Sequence, residues 1–129
     1  GNITQVAQMA AKCPDMVIYS GNDDQIIPIM SVGGLGVISV LANIAPKNVH
    51  DMCQKFLDKD TEGAMKLQLD AMEIIDALFC EVNPIPVKKA MSLMGYNTDT
   101  LRLPLCEISP ENEKYLRSAL INYGIKLVK

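Results

Sequence analysis

The chain has 129 residues, 49% of them hydrophobic and 21% charged, with eight glycines and seven prolines. That length can bury a core, and the composition is that of a globular protein rather than a disordered one. A net charge of −3, an isoelectric point near 5.0 and no run of Lys or Arg exclude a basic nucleic-acid face, and the longest apolar stretches fall far short of the ~20 residues of a membrane helix. Ile3, Val6, Met9 and Ala10 recur at helical spacing and predict an amphipathic helix that begins near Asn2 or Thr4 and ends before Pro14. Met16-Val17-Ile18-Tyr19, closed by Ser20-Gly21-Asn22-Asp23-Asp24, predicts a buried strand ending in a polar loop. A short helix is predicted from Ile26, Ile27, Ile29 and Met30, stopping at Gly33-Gly34, and Gly36-Val37-Ile38-Ser39-Val40 predicts a second buried strand. Apolar strands without alternation are covered on both faces, the mark of a parallel sheet. Two of them do not form a stable sheet alone. They are expected to belong to a larger α/β sheet or barrel.

After Asn43 the strand signals cease. Pro46 suits the first turn of a helix through Lys59, with Val49, Met52, Cys53 and Phe56 on one face. Asp60 or Thr61 caps the next helix, whose apolar stripe is Ala64, Leu67, Ala71, Ile74, Ile75, Leu78 and Val82. Asn83-Pro84-Ile85-Pro86 breaks the pattern, and a helix restarts from Val87 to about Met94, ended by Gly95. Thr98 to Glu107 reads as a long connection. Ser109-Pro110 with Asn112-Glu113 opens a last helix to about Tyr123, stopped by Gly124.

Among the chemistry-bearing residues, Cys13, Cys53, Cys80 and Cys106 form no C-x-x-C pair and have only His50 for company, so no zinc site is expected. They read as reduced thiols in apolar surroundings, which suits a cytoplasmic chain. Gly33-Gly34-Leu35-Gly36 precedes a strand rather than following one, so it fails as a dinucleotide loop and reads as a tight turn. Asp23 and Asp24 read as helix-capping acids rather than metal ligands. His50 is expected to face solvent, and Lys88 and Lys89 to be solvated surface amines. No cofactor is expected. The chain opens on Gly1 without an initiator methionine or a leader-like segment, inside what reads as a helix cap, and is expected to be a piece of something longer.

Several strings carry a family resemblance: Gly1-Asn2-Ile3-Thr4, Tyr19-Ser20-Gly21-Asn22-Asp23, Gly34-Leu35-Gly36-Val37-Ile38-Ser39-Val40-Leu41-Ala42-Asn43 and Ala45-Pro46. Leu78-Phe79-Cys80-Glu81-Val82-Asn83-Pro84-Ile85-Pro86-Val87-Lys88 and Leu101-Arg102-Leu103-Pro104-Leu105 add to them. In this order they resemble consecutive motifs of the dihydrodipicolinate synthases, and the last string favours that family over the neuraminate lyases and keto-deoxy sugar-acid aldolases. The resemblance implies a (β/α)8 barrel followed by a small helical domain. A whole barrel takes about 250 residues, so this chain would be its C-terminal part: residues 1–59 the seventh and eighth strands with their helices, residues 60–129 the helical domain.

The resemblance further implies a class I lyase that condenses pyruvate with aspartate semialdehyde to 4-hydroxy-tetrahydrodipicolinate in lysine (diaminopimelate) biosynthesis. Its Schiff-base lysine would lie on the sixth strand, just upstream of Gly1, so that no catalytic residue is expected in this chain. The proton-relaying tyrosine and threonine, and the arginine that grips the second substrate, would lie in the same N-terminal half. Two substrate-lining positions carry over. Gly21 resembles the glycine whose backbone lies beside the aldehyde, and Ile38 the strand-eight isoleucine whose carbonyl serves the reacting carbon. Asn22 stands where the family commonly has an aspartate. The implied partners are the missing N-terminal barrel half and, in the intact enzyme, a homotetramer meeting around Ile3-Thr4 and Val32; the isolated chain is expected to be inactive. The rival readings are a neuraminate-lyase-like pyruvate aldolase and a non-catalytic half-barrel assembly module, the latter resting on the apolar faces that absent strands would leave exposed.

Overall fold

The computed structural model describes residues 1–96 and 99–128; Thr98, at the predicted start of the last long connection, lies outside them. Helix α1 (Ile3–Lys12) leads to strand β1 (Tyr19–Ser20), a 3-10 helix (Asp23–Gln25) that runs into α2 (Ile26–Ser31), and strand β2 (Gly36–Val37). A 3-10 turn (Leu41–Asn43) follows, then α3 (Pro46–Leu57), α4 (Thr61–Asp70), α5 (Met72–Leu78), α6 (Ile85–Leu93) and α7 (Pro110–Asn122). These elements form two compact units that interleave along the chain: Gly1–Ser39 with Lys47–Leu69, and Val40–Pro46 with Asp70–Lys129.

In the first unit, α1 starts where the sequence predicts, because Asn2 Oδ1 accepts the Gln5 N–H at 3.1 Å and so caps an orphan donor. The two strands pair in parallel, Tyr19 opposite Gly36 and Ser20 opposite Val37. Flanking bonds from Leu35 N–H to the Ile18 carbonyl (2.9 Å) and from Ile38 N–H to the Ser20 carbonyl (2.8 Å) lengthen the pairing at both ends. Helix α2 packs on both strands and buries Ile26, Ile29 and Met30, side chains each worth about 1.5–3 kcal/mol when fully buried. The chain leaves α2 through Gly33, at φ 101°, a left-handed conformation that glycine adopts without a Cβ clash.

The strands depart from expectation in their cover. Predicted as buried on both faces, they leave Val17 61% and Ile38 78% exposed, with Met16, Tyr19 and Leu35 also open to solvent. A single helix such as α2 can cover only one face of a strand pair. Cysteine burial departs too. All four thiols are free, but Cys13 and Cys106 are exposed instead of packed, and only Cys53 and Cys80 are half-buried, where desolvation raises their pKa.

The second unit is built on α5, α6 and α7, which pack pairwise, with the turn Leu41–Asn43 against α5 and α6. Leu41, Ile74, Leu78, Leu116 and Leu120 are among its fully buried side chains. The stripe read from Ala64 to Val82 is divided at Ala71, where φ −89° and ψ −6° interrupt the helix. This break falls where the chain passes from one unit to the other. Ala64, Ile74, Ile75 and Leu78 stay buried, while Val82, beyond the end of α5, is exposed. Helix α6 starts earlier than predicted, at Ile85, with Pro86 in its first turn where a missing N–H costs nothing. Helix α7 opens on the Ser109 cap as read, its Oγ accepting the Asn112 N–H at 3.4 Å.

Candidate functional site

Parallel pairing puts the carboxyl ends of β1 and β2 side by side, and one step past the ladder the same register sets Gly21 beside Ile38. That end of a parallel sheet is where α/β enzymes carry their sites, because the strand ends and their loops converge there. The two positions singled out in the sequence are therefore neighbours at one rim. A local device shapes the rim: Ser20, fully buried, donates from its Oγ to the Asn22 carbonyl at 2.7 Å and accepts the Asn22 N–H at 3.1 Å. The serine thus bridges both polar groups of the residue beyond Gly21 and turns the chain out of the strand.

Gly21 is exposed, and a Cβ built on it would meet nothing within 4 Å. Neither its φ nor a neighbour in this chain demands glycine. Ile38 presents its side chain to solvent while its N–H is spent on Ser20. From Val17 to Val40 the sequence has no lysine, histidine or cysteine. What this rim offers chemically is backbone and open space, suited to lining a substrate and not to covalent attack. Asp23 is buried and Asp24 exposed; read as helix-capping acids, they lie instead in the first turn of the 3-10 helix, whose cap position is Asn22 with no side-chain cap bond. Among the described residues no group of His, Cys, Asp and Glu could hold a metal ion, and no helix is long and apolar enough to cross a membrane.

The remaining candidates belong to other elements of the chain. His50 is 70% exposed, with Nδ1 3.2 Å from the Asp51 carboxylate. Lys88 and Lys89, read as solvated amines, are both engaged: Lys88 donates to the Thr100 carbonyl, and Lys89 lies 3.1 Å from Glu113, which also holds Arg117 at 2.8 Å. Burial pushes the Glu113 carboxyl up, but Lys89 and Arg117 together outweigh it and bring its pKa below the ordinary value. Lys89 and Glu113 line a cavity of about 100 Å³ in the helical unit, with Asp99 and Glu107 on its wall.

Sequence reasoning passed over two residues that shape the rim, Ser20 and Gln68. Gln68, on α4, donates from Nε2 to the Asp23 carbonyl at 2.9 Å and accepts the Ile27 N–H on Oε1 at 3.2 Å. The available signal was a polar residue one turn after Ala64, where the helix face is otherwise apolar.

The model of the dihydrodipicolinate synthetase family matches residues 1–122 of this chain. The 4-hydroxy-tetrahydrodipicolinate synthases of Caldicellulosiruptor saccharolyticus and Caldicellulosiruptor bescii are each 58% identical to it over 127 residues, 98% of this chain and 43% of theirs. The crystal structure of the dihydrodipicolinate synthase of Aquifex aeolicus is similar at TM-score 0.94 and 34% identity, over 99% of this chain and 44% of that one. The chain thus spans less than half the length of the relatives it matches. Two parallel strands with their helices, then helices alone, is the order that the closing part of a barrel with a helical extension requires. On the match along its length and the agreement of its fold, this chain belongs to the dihydrodipicolinate synthetase family and corresponds to a C-terminal portion of it.

Proposed function

We propose that the chain supplies the last two strands and the helical C-terminal domain of a 4-hydroxy-tetrahydrodipicolinate synthase, a class I lyase that joins pyruvate to aspartate semialdehyde in lysine (diaminopimelate) biosynthesis. The observation that carries the reading is the open apolar strand pair: Val17 and Ile38 lie exposed while the paired strand ends bring Gly21 and Ile38 to one rim. Strands of this composition need cover on both faces, and the other strands of a barrel would supply it. In this reading residues 1–59 close the barrel and residues 60–129 form the helical domain. Its partner is the N-terminal barrel half. The assembled enzyme is a cytoplasmic tetramer that meets around Ile3-Thr4 and Val32.

The Schiff-base amine comes from the N-terminal half, a few residues upstream of Gly1. Gln25 supports that placement: its Nε2 donates to the Gly1 carbonyl at 3.1 Å, which holds the segment entering α1 beside the loop that follows β1. An amine arriving there would face the Gly21–Ile38 rim. Pyruvate bound to it as an iminium gains an electron sink. The Gly21 backbone then borders the incoming aldehyde, since hydrogen in place of a side chain permits close approach, and the Ile38 carbonyl orients the reacting carbon.

Joining the N-terminal remainder of the Caldicellulosiruptor saccharolyticus synthase to Gly1 tests this. The fusion is expected to consume pyruvate in the presence of aspartate semialdehyde, and the chain alone is expected to consume none. A folded fusion that cleaves N-acetylneuraminate and ignores aspartate semialdehyde would move the chain to the neuraminate-lyase reading. A folded fusion with neither activity would leave the assembly-module reading.

A further inference from the structure

Gln68 is 5% exposed, so both ends of its amide must find partners inside the protein. They find backbone. The Nε2 donor takes the Asp23 carbonyl at 2.9 Å and the Oε1 acceptor takes the Ile27 N–H at 3.2 Å. The Asp23 carbonyl belongs to the first residue of the 3-10 helix Asp23–Gln25, and the Ile27 N–H to the first turn of α2, where helix donors lack an internal acceptor. One side chain thus closes both ends of the short segment that carries the chain from the β1 loop into α2. On the near side of that segment, Ser20 Oγ fixes Asn22 through its carbonyl and its N–H. Gly21 lies within the Ser20–Asn22 bridge and two residues before the Asp23 anchor, with nothing within 4 Å of the Cβ position.

We propose that Gln68 is a positioning residue for the substrate-lining loop: through Asp23 and Ile27 it sets where the Gly21 backbone stands at the carboxyl end of β1. It does not touch substrate. The clamp itself is independent of the proposed reaction; only the identity of what the loop borders, the aldehyde, rests on that reading. Residue chemistry limits the substitutes. Methionine has nearly the shape of glutamine and neither hydrogen-bonding group, while glutamate keeps the acceptor for Ile27 and lacks the donor for Asp23.

Two measurements test the proposal. In this chain, Gln68→Met is expected to speed amide exchange across residues 21–27 by about tenfold while helices α5 to α7 stay within about twofold of the parent. Equal acceleration throughout, or none in residues 21–27, would overturn the clamp. In the fusion described above, Gln68→Met is expected to raise KM for aspartate semialdehyde about tenfold and to leave KM for pyruvate and the borohydride-trapped pyruvate adduct within about twofold. Equal losses on both substrates would reduce Gln68 to a structural residue and overturn the proposal. Should Gln68→Met fail to fold, Gln68→Glu keeps one of the two bonds and is expected to shift both readouts the same way, by less; no shift overturns the proposal. A fusion inactive even with Gln68 in place would sink the reaction assignment alone, and the exchange measurement would still decide the clamp.

Discussion

An alanine Cβ at Gly34 would lie 2.7 Å from Ile29 Cγ2 and 2.8 Å from the Ile29 carbonyl oxygen, and the Gly34 N–H already donates to that carbonyl at 2.9 Å. The obstacle includes helix backbone, which cannot swing aside as a long side chain could. Gly34→Ala is expected to destabilise the chain by about 1–3 kcal/mol, read as a lower urea midpoint. Gly21 answers differently, because no neighbour within 4 Å and no left-handed φ constrains it. Gly21→Val is expected to leave the midpoint within about 0.5 kcal/mol of the parent and, in the fusion enzyme, to lower kcat/KM for aspartate semialdehyde by at least about tenfold. Loss of stability without loss of activity would reverse the assignment. The contrast marks what a sequence can tell at this scale. Both glycines were visible as turn residues, and the resemblance separated Gly21 from the rest. The buried serine and glutamine that shape its loop were not singled out, because their partners are backbone groups placed by the fold and carry no residue signature.

Between elements, a polar junction of the helical unit gathers on one carboxylate oxygen. Glu81 Oε1 accepts from the Ser109 N–H at 2.9 Å, the Ser109 hydroxyl at 2.8 Å and the Asn112 amide at 2.7 Å, joining the turn after α5 to the first turn of α7. The Asn112 amide first, then the Ser109 N–H, hold the Glu81 carboxyl below its ordinary value of 4.5 against a smaller effect of burial. A carboxylate with a depressed folded pKa holds its proton less well folded than unfolded. Its contribution is therefore full above the unfolded value and is lost as pH falls through the folded one. The parent is expected to exceed Glu81→Gln in urea midpoint at neutral pH, with the gap closing as pH falls below about 4.5. Asp51 and Asp60, depressed by Lys47 and Lys55, are common to both proteins and cancel in the difference. A gap that persists unchanged into strong acid would remove Glu81 from this role. Capping at Ser109 was legible because Ser-Pro with a following Glu is a local signal. The division of the stripe at Ala71 was not, since apolar spacing continues through it and the break reflects which unit each half joins.

At the scale of the whole chain, exposure separates what it holds from what it needs. Val17, Tyr19, Leu35 and Ile38 are open around the strand pair, whereas α5, α6 and α7 bury a core of their own. Strand order and parallel pairing were legible from apolar runs without alternation, and exposure was not, because that pattern states how much cover a strand requires and not which polypeptide gives it. The same division governs chemistry. Two amines of the helical unit are committed to other work, Lys88 to the Thr100 carbonyl and Lys89 to Glu113 at 3.1 Å. Neither adjoins the Gly21–Ile38 rim in sequence, and an iminium would require either to release its partner. Treating this chain with pyruvate and borohydride is therefore expected to add no mass, and the same treatment of the fusion is expected to place one pyruvyl group on a lysine upstream of Gly1. An adduct on Lys88 or Lys89 would show that the chain carries its own nucleophile, and the division of labour argued from the open strand pair would have to be given up.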